Sequence, residues 1–313
     1  MNIMKKILLY ITVLACGLAS CSNEDDLNPV SVIRDSVGAK TQFDEWIDHN
    51  FRIPFNISFF YHFEDVESSL DADLVPATEH QAKLVAKMVR FFWIDPYTEC
   101  TNMDFMREHA PRVIHVVGSG NWNDNGTITL GTAEGGQKIT LYCGNWMDRY
   151  LEVLYNNGVD ETDGFTVNVK DVQGLLDQYM HTIHHEFSHI IDQKRNHPKE
   201  FNLISRDDYS AQWNTLSSKQ AALLGFTRNY GSKSAGEDFA EIYSAILCWD
   251  EAKWEAKFAE AEEEGAAKMK KKIELIKQYT RESWGFDMDE LRASIERRFK
   301  DGEELNWDNF DIE

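Results

Sequence analysis

His185, Glu186 and His189 spell H-E-x-x-H within "YMHTIHHEFSHIIDQ", residues 179–193, a run that otherwise reads as the apolar side of a helix. Histidines four apart on a helix lie about 40° apart around its axis and one turn along it, so both imidazoles can reach one ion while Glu186 points to its side. This is the chemistry of a zinc site with a base beside it. Catalytic zinc takes a third protein ligand and leaves its fourth position to water. A third His six residues beyond His189, preceded by a Gly at the third, is excluded because Asp192 and Arg195 stand there. The remaining common solution is a glutamate from a second helix, and "EDFAE" offers Glu237 and Glu241, four apart on one face. One can bind the ion while the other accepts a hydrogen bond from a ligand imidazole and fixes its tautomer. One Zn2+ per chain is expected, with the pKa of its bound water lowered to about 7. Glu186 then acts as base rather than ligand, taking that proton and passing it to the leaving amine.

Helices and a sheet must position these groups. Leu175, Leu176, Tyr179, Ile183, Phe187 and Ile190 recur at helical spacing, and this helix is expected to end before Pro198. "AGEDFAEIYSAILCW" opens a largely helical tail with a break at Gly285 and a capping-box pattern in "DMDE", residues 287–290. Upstream, Thr41 to Phe51 and Glu79 to Trp93 read as helices, the second stopped by Pro96. "FNISFFYHF", "RVIHVVGSG" and the two segments around the Gly-rich turn of "GTITLGTAEGGQKITLYCGNW" read as strands. The expected class is α+β, one domain over residues 40–313, with a mixed part and the H-E-x-x-H helix in 40–194 and a helical part in 195–313. His181 lies one turn before His185, and the span from 181 to 189 is about 12 Å, too long for one ion to take all three. It is expected to line the cleft or to donate to a carboxylate. His184 points about 100° away from His185 and reads as a satisfied histidine.

Formal charge is −21, and this composition supplies no basic stripe for phosphates, which argues against a nucleic-acid partner. The acidity reads first as solubility. Aromatic residues make up 12% of the chain and could form a sugar platform, although core packing explains them more simply. Residues 1–20 read as a signal peptide, with Lys5 and Lys6 ahead of an apolar stretch too short to span a bilayer comfortably. "LASC", ending at Cys21, resembles the lipobox of bacterial lipoproteins, in which the cysteine is lipidated and becomes the mature N-terminus. Residues 21–39 then form a polar, acidic tether. Cys100, Cys143 and Cys248 are widely spaced without a CxxC pair, so they read as core thiols, with one bridge left open.

"HEFSH" followed 48 residues later by "EDFAE" resembles the gluzincin branch of the zincin metallopeptidases, in wording closest to the lethal-factor type. With the lipobox, "GTAEGGQKITLY" and "HHEFSHIIDQ", the mature chain resembles the zinc-binding metallopeptidase lipoproteins of Bacteroidetes. That resemblance implies a zincin-like fold and endopeptidase-type hydrolysis of a peptide or protein substrate. It implies zinc held by His185, His189 and Glu237, with Glu241 behind an imidazole. Tyr230, seven residues before Glu237, matches a tyrosine whose hydroxyl steadies the oxyanion. The peptide is expected to pair with an edge strand, for which "KITLYC" (Lys138 to Cys143) is the candidate. The implied location is the outer membrane, lipid-anchored, at the cell surface or periplasmic face, with glycan-uptake systems as neighbours. The alternative is a catalytically silent binding or accessory lipoprotein of such a system.

Overall fold

Thr41 caps the first helix reciprocally: its hydroxyl accepts the Asp44 N–H while its own N–H donates to the Asp44 carboxylate. The computed structural model describes residues 40–62, 73–123, 128–148 and 179–312. Thr41–Glu313 form one compact unit. The leader, Cys21, the tether and the helical pattern at Leu175 and Leu176 lie outside the described residues. Among the described residues no helix is long and apolar enough to cross a membrane.

Helix α1 (Gln42–Ile47) turns Phe43, Trp46 and Ile47 inward and runs through a π-helical turn before Asn56, with φ of 57°, ends it. Strand β1 (Ser58–Phe60) follows. The reading of Pro96 as a helix stop is corrected by the structure. Helix α2 (Glu79–Met88) widens into a π-helical turn over Val89–Ile94 and resumes as α3 (Asp95–Cys100). Pro96 falls in the first turn of α3, where a missing N–H leaves no gap in the hydrogen bonding. Helix α4 (Met103–His109) leads to β2 (Val113–Val116). Strands β3 (Asn121–Trp122) and β4 (Ile128–Thr129) pair antiparallel, and β5 (Gly131–Glu134) and β6 (Lys138–Leu141) form a hairpin. Its three-residue turn, 135–137, takes positive φ at Gly135 and Gly136, 56° and 67°, which glycine adopts without strain.

The main sheet has the order β1-β2-β6-β5, with β1, β2 and β6 parallel and β5 antiparallel to β6. "KITLYC" is therefore not an edge strand. Its Ile139, Thr140 and Leu141 are all buried because β6 is paired on both sides, by β2 and by β5. Among the described residues the edges are β1 and β5, and it is β5, whose Gly131, Thr132 and Ala133 are half-buried and small, that runs beside the H-E-x-x-H segment.

Beyond the sheet come α5 (His181–Lys194), α6 (Lys199–Ile204), α7 (Ser218–Leu223), α8 (Ala235–Cys248), the long α9 (Glu251–Tyr279) and α10 (Met288–Asp301). Gly285, with φ of 75°, terminates the turn after α9, and the Asp287 carboxylate caps α10. The main apolar core joins the sheet-bearing part to the helical tail, from Phe43 and Phe59 through Phe187 and Tyr243 to Leu291. Tyr97 of α3 sits in it fully buried, its ring edge-on to Phe187 and its hydroxyl bonded to the Tyr243 hydroxyl at 2.9 Å. Cys100, Cys143 and Cys248 are free thiols, so no bridge joins them.

Candidate metal centre

Helix α5 carries the two histidines of the motif, and α8, packed along it, carries the two glutamates. Ser234 caps α8 by accepting the Glu237 N–H at 3.3 Å, which fixes Glu237 in the first turn, where the helix dipole favours a carboxylate. His185 Nε2 lies 3.2 Å from Glu237 Oε2 and 3.2 Å from His189 Nε2, and His189 Nε2 lies 3.3 Å from Glu237 Oε2. Three donor atoms thus form a nearly equilateral triangle. Tetrahedral zinc, with bonds of about 2.0 to 2.1 Å, requires ligand atoms separated by about 3.3 to 3.4 Å. The donor set fits that requirement in type and in spacing.

The other nitrogen of His185, Nδ1, faces Glu241 Oε1 at 3.3 Å. An N–H there directs the Nε2 lone pair toward His189 and Glu237. The second oxygen of Glu241 faces His181 Nε2 at 3.2 Å, and Ser244 Oγ lies 3.0 Å from the same nitrogen. His181, His185 and Glu241 thus make a second group of three potential ligands, fully buried and sharing His185 with the first. Its geometry is less apt. Glu241 points its two oxygens at two different imidazoles instead of turning one oxygen toward a shared point, and His181 already has the Ser244 hydroxyl.

Charge follows from this packing. Burial alone would lower the His185 pKa, but Glu237 and Glu241 on opposite sides of the ring outweigh it and push it up to about 10. Burial would raise both carboxyls, yet His185, His189 and Lys233 hold Glu237 below the usual carboxylate range, and His181, His185 and Arg228 hold Glu241 well below it. The centre is therefore a place that favours positive charge. His181 is pushed down to about 4 by burial and by Arg228, and remains a neutral imidazole.

Glu186 lies beside the triangle. Burial raises its pKa above the usual carboxylate value, and the backbone N–H of Ala133, on the edge strand β5, donates to its carboxylate. Tyr230 donates to Glu237 Oε1 at 2.9 Å, and Lys233 Nζ reaches both Glu237 Oε1 and the Tyr230 hydroxyl at 2.8 Å. A cavity of about 840 Å3 opens over the N-terminal half of α5, bordered by His181, Thr182, His185 and Glu186. Residues 128–131, Trp213 and Arg228 also line it. His184 stands apart, fully buried with Nδ1 3.2 Å from the Tyr97 hydroxyl, where burial and His181 push its pKa down to about 3.

The structure thus brings His185, His189, Glu237, Glu186, Glu241, His181 and Tyr230 together. Sequence reasoning passed over Lys233, Arg228, Ser244 and Ala133. Lys233 stands four before Glu237, in the 3-10 turn ahead of the Ser234 cap, so its ion pair spans a helix start that helical spacing does not reveal. Arg228 and Ala133 arrive through loop and strand geometry and carry no local pattern.

An H-E-x-x-H helix beneath a mixed sheet with one antiparallel edge strand, and a glutamate supplied by a following helix, define a zincin-like metallopeptidase of α+β class. A family model described as "Putative zinc-binding metallo-peptidase" matches residues 36–289, and the chain belongs to that family. The crystal structure of a putative zinc-binding metallo-peptidase from Bacteroides caccae ATCC 43185 is similar, with 36% identity and a TM-score of 0.71 over 90% of this chain and 100% of that one. Among curated proteins there is no match.

Proposed function

We propose that this chain is a zinc-dependent endopeptidase, with zinc bound by His185 Nε2, His189 Nε2 and Glu237 Oε2. The observation that carries the reading is the triangle of 3.2, 3.2 and 3.3 Å among those three atoms. Zinc bound there supplies a Lewis acid that polarises a carbonyl and lowers the pKa of water to about 7. The chain's own groups do the rest. Glu241 holds the His185 ring by its Nδ1 N–H. Glu186, steadied by the Ala133 N–H and with its pKa raised by burial, removes a proton from water and returns it to the leaving nitrogen. Tyr230 keeps its hydroxyl proton, since burial pushes its pKa up to about 12, and offers it to a developing oxyanion. Strand β5, which among the described residues is an edge strand paired only with β6, is the backbone rail on which a peptide would pair.

Metal analysis of the purified domain is expected to give one zinc per chain, lost in Glu237→Ala and in His189→Ala. Glu186→Gln is expected to keep zinc and to hydrolyse no member of a diverse peptide library that the wild type cleaves. Full zinc retention by either ligand variant would refute the ligand set. A wild type as inert as Glu186→Gln would instead support the silent binding or accessory reading.

We further propose that the chain is lipidated at Cys21 and held at the outer membrane, on the strength of the "LASC" pattern and the polar tether behind it. Cys21→Ala is expected to move the protein from the membrane to the soluble fraction. Unchanged partitioning would count against the anchor.

A further inference from the structure

The two oxygens of Glu237 are engaged differently. Oε2 belongs to the triangle, 3.2 Å from His185 Nε2 and 3.3 Å from His189 Nε2. Oε1 accepts the Tyr230 hydroxyl at 2.9 Å and Lys233 Nζ at 2.8 Å. Lys233 Nζ also donates to the Tyr230 oxygen at 2.8 Å, so the three groups close a ring of hydrogen bonds. Their places on the chain make this ring local. Tyr230 and Lys233 lie three apart in the 3-10 turn Asn229–Lys233, a spacing that puts them on one face, and the Ser234 cap joins that turn directly to α8. The donors are unequal in number. A tyrosine has one O–H, whereas an ammonium has three N–H. If Tyr230 turns its proton to an oxyanion it leaves Oε1, and Lys233 then keeps that oxygen in place.

We propose that Lys233 is a positioning residue that holds Glu237 to one-oxygen binding of the metal and so frees Tyr230 to serve the substrate; this rests on the metallopeptidase reading above. A carboxylate binds a cation through one oxygen or through both. With Oε1 released, Glu237 can swing it onto the same ion and fill the position that a catalytic zinc keeps for water. The ammonium opposes that swing, because a charge-assisted hydrogen bond must break first. The cation acts in a second way. It competes for the same carboxylate and repels the ion itself, which lowers metal affinity. Both effects have one sign: Lys233 keeps the coordination open and weakens metal binding. A lysine that merely propped up the ligand would strengthen it. The Lys233 side chain is 43% exposed, so solvent screens its charge and the change in affinity stays modest. Its ammonium lies 4.6 Å from the centre of the Tyr230 ring, and Trp213 meets that ring edge-on with centres 4.9 Å apart. The phenol is thus placed by packing as well as by hydrogen bonds.

The test reads the metal, so that it does not depend on turnover. The probe is Co2+ in place of zinc in the purified chain, because its visible absorption is intense in four-coordinate sites and weaker in five-coordinate ones. Tyr230→Phe removes one of the two donors to Oε1 and is expected to keep the wild-type spectrum, since Lys233 still holds that oxygen. Tyr230→Phe with Lys233→Met frees Oε1 and is expected to weaken the band by roughly half. The same double variant should bind Co2+ roughly fivefold more tightly than Tyr230→Phe in competition with a chelator, the scale of one partly exposed charge. Tyr230→Phe with Lys233→Arg should restore the intense band, because a guanidinium donates to the same oxygen. A weakened band in Tyr230→Phe alone, an intense band after Lys233→Met is added, or looser metal binding in that double variant each overturns the inference. Those outcomes leave the ligand set standing. A wild type that binds no Co2+ overturns the ligand set and this inference with it.

Discussion

Lys272 and Asp238 form an ion pair with no exposure of either side chain, Nζ to Oδ2 2.6 Å, beneath the helix that presents Glu237. Lys272 also donates to the Gly225 carbonyl at 2.9 Å and lies 4.4 Å from the centre of the Phe226 ring, while Tyr209 donates to Asp238 at 3.0 Å. Burial raises the Asp238 carboxyl to about 6 even with Lys272 and Tyr209 opposing it. Lys272→Met removes the cation and lets that pKa climb further. A carboxyl whose folded pKa exceeds its unfolded value loses stability as pH rises, from the unfolded value up to the folded one. Wild type has suffered all of that loss by about pH 6, whereas the variant goes on losing about 1.4 kcal/mol per unit above it. By pH 8 the gap from charge is about 3 kcal/mol, and the lost bond to Gly225 adds about 1. The total of about 4 lies within the usual 3 to 5 for breaking a buried pair. Urea unfolding followed by tryptophan fluorescence is expected to show Lys272→Met destabilised by about 1 kcal/mol at pH 5.5 and about 4 at pH 8, with the m-value unchanged. Asp238→Leu added to Lys272→Met should recover most of the loss at pH 8, because both charges then leave the core together. A loss that is equal at the two pH values, or that shrinks as pH rises, would refute this account.

Gly131→Ala places a methyl 2.5 Å from Thr182 Cγ2, and the strand or helix must shift, at a cost of about 1 to 3 kcal/mol in thermal or urea unfolding. Thr182→Ser removes that Cγ2 while keeping the hydroxyl, so the double variant should regain most of the loss; no recovery would show that another contact sets the spacing. Glu99 of α3 holds α10 through Ser294, Arg297 and Arg298, and Arg297 foremost pulls its pKa down to about 2. A depressed folded pKa contributes fully above the ordinary glutamate value and is lost as pH falls toward the folded one. Because the pair is substantially exposed, Glu99→Gln should cost only about 1 kcal/mol at pH 6, with the gap narrowing toward pH 3; a gap that widened on acidification would contradict the assignment.

The parts of the site that obey a helical period were open to reading from sequence, and the parts set by the sheet were not. His185, His189, Glu237 and Glu241 follow from spacings of four on two helices, and α8 sits against α5 as those spacings require. The edge strand was assigned one strand too far along the chain. "KITL" looks like the better strand because its β-branched and apolar residues suit burial, but burial on both sides is what removes it from the edge. Gly131 and Ala133 look like poor strand formers, and their smallness is what allows close approach to Thr182 and Glu186. Pro96 misled for a related reason. A proline forbids a donor at one point in a helix, and a π-helical turn just before it begins a new first turn where none is needed.

His185 shows why the four histidines of the opening run are not interchangeable. An imidazole has two nitrogens on opposite sides, and only His185 has a carboxylate at each, Glu237 at Nε2 and Glu241 at Nδ1. A proton on both nitrogens suits the metal-free form, and that is why its pKa is pushed up to about 10. Binding a cation at Nε2 displaces one of those protons and leaves the other on Nδ1 for Glu241. His181 shares Glu241 but faces Ser244 rather than a second carboxylate, and His184 faces Tyr97, so neither has a charge poised to be exchanged for a metal. Metal affinity should accordingly rise with pH through the release of a proton from His185, a dependence that calorimetry in buffers of different ionisation enthalpy reads directly.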